Sequence, residues 1–206
     1  MDFQALKYIY KPSAQPGAYT LLLLHGTGGN EADLIPLAEN FGNGFNILSV
    51  RGNVSENGMP RFFRRLGMGI FDEEDLNFRT DELVAFVKEI AVKEGFDSTK
   101  VIALGYSNGA NIAGATLVKY PGFLAGAIMY RPMPPFKKLS IDGTANSTPV
   151  LMTSGAMDGT VNRQDNQQYA EALQHVGYVV THQILPSGHN LTQQDLTLTV
   201  DWLKTL

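Results

Sequence analysis

Gly105-Tyr106-Ser107-Asn108-Gly109 fits the pattern Gly-x-Ser-x-Gly and stands between an apolar run, Val101-Ile102-Ala103-Leu104, and an uncharged stretch, Asn108 to Val118. A strand that turns straight into a helix forces the residue between them into a strained backbone geometry, and glycines two before and two after it relieve the crowding. The Ser107 hydroxyl is then presented at the C-terminal edge of a sheet, beside a helix N-terminus. Such a serine could attack an acyl carbon. Its alcohol is a weak nucleophile at neutral pH, so the chemistry also needs a histidine to take the proton and an acid to orient the imidazole.

The chain has four histidines. His25 ends an apolar strand, His175 falls on a predicted helix and His182 lies inside a predicted strand, so these three read as structural. His189, in Pro186-Ser187-Gly188-His189-Asn190, follows the last predicted strand directly and is the candidate base. The acid is expected after a strand lying between serine and histidine in the chain. Asp158, in Ser154-Gly155-Ala156-Met157-Asp158-Gly159, meets that condition, whereas its nearest competitor, Asp165, falls inside a predicted helix.

His25-Gly26-Thr27-Gly28-Gly29 also follows a strand. Backbone N–H groups fixed in a glycine loop can meet the negative oxygen of a tetrahedral intermediate without reorganising. The assigned donors are the N–H groups of Thr27 and of Asn108, the residue after the nucleophile. A glycine loop can equally cradle phosphate, but the chain has neither Gly-x-Gly-x-x-Gly nor Gly-x-x-x-x-Gly-Lys, so nucleotide readings lack support.

These residues need a scaffold of strands ending at one edge. Short uncharged runs at Tyr19 to Leu24, Asn46 to Val50, Val101 to Leu104, Leu124 to Tyr130, Val150 to Thr153 and Val179 to Leu185 have the composition of strands covered on both faces. Tyr8-Ile9-Tyr10 suggests an additional edge strand. Amphipathic segments alternate with these runs, which predicts an α/β fold with a mostly parallel sheet. One helix is expected from Asp81 to Glu94, capped by Thr80 and stopped by Gly95; a second from Arg163 to Val176; a third near the C-terminus with Thr192 as its cap. The long connection Arg51 to Arg79 holds Phe62, Phe63 and Phe71, which suit a pocket wall or partial lid; a short helix with surface packing is the alternative.

The 206 residues suit a single domain, 1–206, with no separate cap domain. Sixteen Lys and Arg against 20 Asp and Glu give a net charge of -4, the wrong sign for a nucleic-acid partner. The absence of cysteine excludes disulfides, thiolate nucleophiles and cysteine-ligated metals. No stretch approaches the ~18 apolar residues of a membrane span, and the first residues lack the pattern of a secretory signal, so a cytoplasmic location without membrane insertion is expected.

With these motifs in this order, the sequence resembles the α/β-hydrolases of the phospholipase/carboxylesterase family, the group that includes the acyl-protein thioesterases. The likeness runs through Leu24-His25-Gly26-Thr27-Gly28-Gly29, Gly105 to Gly109, Gly155-Ala156-Met157-Asp158 and Gly188-His189. It implies a triad of Ser107, Asp158 and His189. Arg51-Gly52-Asn53-Val54, Arg61-Phe62-Phe63-Arg64-Arg65 and Phe71 to Leu76 resemble, more narrowly, bacterial hydrolases linked to hydroquinone and quinone resistance. The thioesterase pattern usually has glutamine after the nucleophile and leucine after the His-Gly, where this chain has Asn108 and Thr27. Those departures argue against a lipidated-protein substrate.

The resulting expectation is a serine carboxylesterase that takes small or medium esters as its partner molecule and needs neither metal nor organic cofactor. Thioesterase and lysophospholipase activities share every catalytic residue. A binding protein of the same fold that holds a quinone-type ligand with little turnover is the reading from another class, and a homodimer is a possible assembly.

Overall fold

The leucine-rich run at Thr20–Leu24 is buried at all five positions, and its side chains divide between two cores. Leu22 and Leu24 join one hydrophobic cluster, Leu21 and Leu23 the other, as the two-residue side-chain period of a strand requires. This strand is therefore covered on both faces. The computed structural model describes residues 2–141, 143 and 145–206.

In chain order the elements are β1 (Lys7–Lys11), β2 (Thr20–Leu24), α1 (Ile35–Ala38), β3 (Asn46–Arg51), the hairpin of β4 (Val54–Glu56) and β5 (Met59–Arg61), and the hairpin of β6 (Arg65–Gly67) and β7 (Ile70–Phe71). Then come α2 (Glu73–Glu94), β8 (Val101–Tyr106), α3 (Asn108–Lys119), β9 (Gly126–Tyr130), β10 (Pro149–Gly155), α4 (Arg163–His175), β11 (Val179–Leu185) and α5 (Gln193–Leu203). Seven strands form one sheet in the order β1-β3-β2-β8-β9-β10-β11. Every neighbouring pair is parallel except the edge pair β1 and β3. Side chains of α2, α3 and α4 fill the first core, and those of α1 and α5 fill the second, so helices cover both faces.

The predicted strands all lie in this sheet, with ends displaced by a residue or two, and Tyr8-Ile9-Tyr10 sits within edge strand β1. Helix α2 is the main correction. It begins at Glu73 rather than Asp81, because the Asp72 side chain accepts the Asp75 N–H at 3.1 Å and Glu73, Glu74 and Asp75 occupy the positive end of its dipole. Thr80 is buried within the helix and donates its hydroxyl to the Leu76 carbonyl at 2.7 Å. The acidic run that reads as loop is thus a first helical turn. The rest of the connection from 51 to 79 forms the two small hairpins. Among the described residues no helix is long and apolar enough to cross a membrane.

Helix α3 crosses the sheet at close range, with residues 108 to 118 all buried. A Cβ added at Gly109 would lie 1.9 Å from the Leu24 carbonyl oxygen and 2.7 Å from that of His25, both backbone atoms. Gly109→Ala is therefore expected to cost about 3 kcal/mol. A urea-denaturation midpoint unchanged from the parent would contradict this packing.

Candidate active site

The register of the parallel strands brings the candidate residues to one edge. Leu24 pairs with Gly105, Tyr106 with Tyr130, and Tyr130 in turn with Thr153. The segments that follow these strands therefore leave the sheet side by side. Ser107 sits between β8 and α3 with φ 52° and ψ −111°, a left-handed conformation uncommon for a residue with a side chain. Its N–H donates to the Tyr130 carbonyl at 2.9 Å, and its carbonyl accepts the Asn111 N–H at 2.9 Å. Gly105 is required by the same turn, since a Cβ there would meet the Gly109 carbonyl oxygen at 2.4 Å.

Around this serine the structure brings together the three residues predicted from spacing. His189 Nε2 lies 2.9 Å from Ser107 Oγ, and His189 Nδ1 lies 2.7 Å from Asp158 Oδ2. The Asp158 side chain is buried, with Oδ1 accepting the Thr160 N–H at 2.8 Å, and the imidazole is partly exposed. A carboxylate on Nδ1 leaves Nε2 unprotonated and facing the hydroxyl, the arrangement that proton transfer from Ser107 needs. The loops that carry Asp158 and His189 pack tightly, as a Cβ on Gly155 would meet the Gly188 carbonyl oxygen at 2.2 Å. The other histidines lie elsewhere. His175 is exposed at the end of α4; His182 meets Ser154 Oγ at 2.9 Å, and burial lowers its pKa. Asp165 lies in the first turn of α4.

The sequence reading missed what holds the His189 loop. Arg131, fully buried just past β9, forms a two-pronged pair with the fully buried Asp195, Nη1 to Oδ1 at 2.8 Å and Nη2 to Oδ2 at 2.9 Å. The same guanidinium donates to the carbonyls of Gly188 and Asn190, the neighbours of His189, at 3.2 and 2.9 Å. Asp195 also accepts the Thr153 and Thr192 hydroxyls and the Thr192 N–H, closing the capping box of α5. Burial would raise the Asp195 pKa, but the bonds from Arg131 and Thr153 outweigh it and hold it below 3.8. The sequence signal was the Thr192-x-x-Asp195 capping pattern; nothing in the chain announced its cation.

The glycine loop lies against the elbow, where a Cβ on Gly26 would meet the Tyr106 ring at 3.0 Å. His25 is buried with its pKa lowered by desolvation. Its Nε2 accepts the Gly52 N–H at 3.1 Å, so the ring proton belongs on Nδ1, which donates to the Gly26 carbonyl at 2.6 Å. Asn108 is buried, and its Oδ1 accepts the Phe62 N–H at 2.7 Å. As the first residue of α3, Asn108 directs its backbone N–H away from the helix with no intrahelical acceptor.

The phenylalanines divide. Phe62 and Phe63 are buried core residues, Phe62 against the His25 ring and Phe63 against Phe71, so neither forms an open pocket wall as predicted. The reason is local: Phe62 is tied by its backbone to Asn108, and Phe63 has no exposed surface at all. Phe71 does line a cavity of about 530 Å³, together with Ile70, Met133, Phe136 and Tyr169. The triad side chains do not line that cavity. Its link to them is Asn111, whose Oδ1 accepts the Met133 N–H at 2.7 Å one helical turn beyond Ser107. Among the described residues no group of three or more histidine or acidic side chains is placed to hold a metal ion.

This sheet order, with a serine elbow after β8, is the α/β-hydrolase fold. The chain belongs to the phospholipase/carboxylesterase family, whose model matches residues 7–206. It is 41% identical over 199 residues to MhqD of Bacillus subtilis (strain 168), a protein named as a hydrolase, covering 97% of this chain and 98% of that one. It superposes on a carboxylesterase of Bacillus cereus with a TM-score of 0.94, at 42% identity over 97% of this chain and 94% of the other. A carboxylesterase of Mesorhizobium loti gives 0.90 at 27% identity over 98% and 95%.

Removing one partner of the Arg131–Asp195 pair leaves a buried charge unpaired, so Arg131→Met and Asp195→Asn should each cost about 3 to 5 kcal/mol. The double variant should lose less than the sum of the two, and strict additivity in urea denaturation would rule out the coupling. Because the folded pKa of Asp195 is depressed, its contribution is complete above the unfolded value and lost as pH falls through the folded one.

Proposed function

We propose that this chain is a serine carboxylesterase acting on small or medium carboxylic esters through an acyl-enzyme on Ser107. The observation that carries the reading is the continuous contact from Asp158 through His189 to Ser107 at 2.7 and 2.9 Å. His189 takes the Ser107 proton as Oγ attacks the ester carbonyl, and Asp158 holds the imidazole and balances its charge. The N–H groups of Thr27 and Asn108 stabilise the oxyanion. The tetrahedral intermediate collapses with His189 protonating the departing alcohol. Water, deprotonated by the same histidine, then attacks the acyl-enzyme and releases the acid. The likeness to two carboxylesterases supports the same class of bond. The cavity has a mixed lining, and its apolar side at Phe71, Met133 and Phe136 suits the hydrocarbon part of such a substrate.

Intact-mass measurement after exposure to a fluorophosphonate should show one adduct on the parent and none on Ser107→Ala. On nitrophenyl esters of short acids, Ser107→Ala should lose at least ~10³-fold in kcat and Asp158→Asn about 10³- to 10⁴-fold. A folded parent that takes no adduct and cleaves no ester would leave the ligand-binding reading in its place.

A further inference from the structure

Three consecutive residues at the end of β5 bind the two segments that flank the reacting carbonyl in the proposed mechanism. The Pro60 carbonyl accepts the Gly28 N–H at 2.9 Å, Arg61 Nη1 donates to Thr27 Oγ1 at 2.6 Å, and the Phe62 N–H donates to Asn108 Oδ1 at 2.7 Å. Arg61 is itself buried at 3% exposure, held by the Phe63 carbonyl at 3.2 Å and by the Glu56 carboxylate 3.5 Å away. A charged side chain has thus been buried at the glycine loop with its head group against one hydroxyl.

We propose that the Thr27 hydroxyl is a third hydrogen-bond donor to the oxyanion, with its proton directed there by Arg61; this rests on the serine-esterase reading above. A guanidinium carries five donors and no acceptor, so Thr27 Oγ1 must accept in its bond to Arg61. The hydroxyl proton therefore points away from the guanidinium. Among the described residues no protein group accepts it, and Thr27 is exposed. The pairing of Leu24 with Gly105 brings the turn after β2, which carries Thr27, alongside the turn that carries Ser107, with Gly26 packed on the Tyr106 ring between them. A hydroxyl that accepts from a cation is polarised, which strengthens the hydrogen bond it donates to a developing negative charge. Arg61 acts here through Thr27 as a positioning residue. The hydroxyl gains its full partner only as the carbonyl oxygen becomes negative, so its effect falls on kcat.

The test compares the parent with Thr27→Val, Thr27→Ala and Thr27→Ser. Each is measured on a nitrophenyl ester, on a trifluoromethyl ketone that forms a tetrahedral adduct with the serine, and on the matching secondary alcohol, which cannot. Valine keeps the backbone N–H and shape while removing the hydroxyl, and Thr27 is exposed, so these variants should fold; thermal melting checks this. Thr27→Val and Thr27→Ala should lower kcat about 10- to 100-fold with KM within twofold, and weaken the ketone by a similar factor. Affinity for the alcohol should hold, and Thr27→Ser should stay within about threefold of the parent. Three results would overturn the assignment in an active parent: kcat retained in both hydroxyl-free variants, ketone and alcohol affinities falling together, or serine failing to rescue. A parent that turns over no ester and forms no ketone adduct would instead overturn the esterase reading itself, and this assignment with it.

Discussion

The arrangement around Ser107 depends on a buried ion pair that touches no reacting atom. Arg131 and Asp195 are both fully buried, and a lone charge in either place would be costly. The cost is offset because every donor of the guanidinium is used: Asp195 takes two, Thr153 and Ser187 hydroxyls share the same nitrogens, and the carbonyls of Gly188 and Asn190 take the rest. The pair therefore ties the ends of β9 and β10, the start of α5 and both neighbours of His189 to one rigid plane. Arg131 has a positive φ of 53°, a conformation that holds only when surrounding contacts overdetermine it.

A second constraint acts on the opposite side of the serine. The hairpin of β4 and β5 has little sheet of its own, yet its last residues bond the glycine loop and the first residue of α3 together. His25 adds a neutral, buried link from that loop to Gly52. The serine turn is thus clamped from both directions by groups fixed before any substrate arrives, which is the condition under which hydrogen-bond donors stabilise charge without reorganising.

The parts of this site that were legible in the sequence share one property: they are local. Gly105, Ser107 and Gly109 announce a sharp turn because the backbone there admits few residue types, and His189 and Asp158 stand out because each follows a strand directly. Arg131 and Asp195 are separated by 64 residues, and an arginine after one strand and an aspartate inside a capping box each have an ordinary local explanation. The start of α2 was hidden by its own cap, since the four acidic residues 72 to 75 fall in the long connection before the expected helix until Asp72 is seen closing its first turn. Phe62 and Phe63 suggested a pocket because composition cannot distinguish an aromatic side chain that faces a ligand from one that fills a core.

The position of Asp195 also bears on how the chain acquires its shape. Arg131 is synthesised well before its partner, so a growing chain that already has β8, α3 and β9 still lacks the carboxylate that lets the guanidinium leave water. Closure of the strand ends around His189 must wait for α5 to dock, and the carboxylate that caps α5 is the same one that completes the pair. Docking of the C-terminal helix and completion of the contacts around His189 thus draw on the same carboxylate. Until Asp195 arrives, a chain that already contains Ser107 has no buried partner for the guanidinium that holds both neighbours of His189.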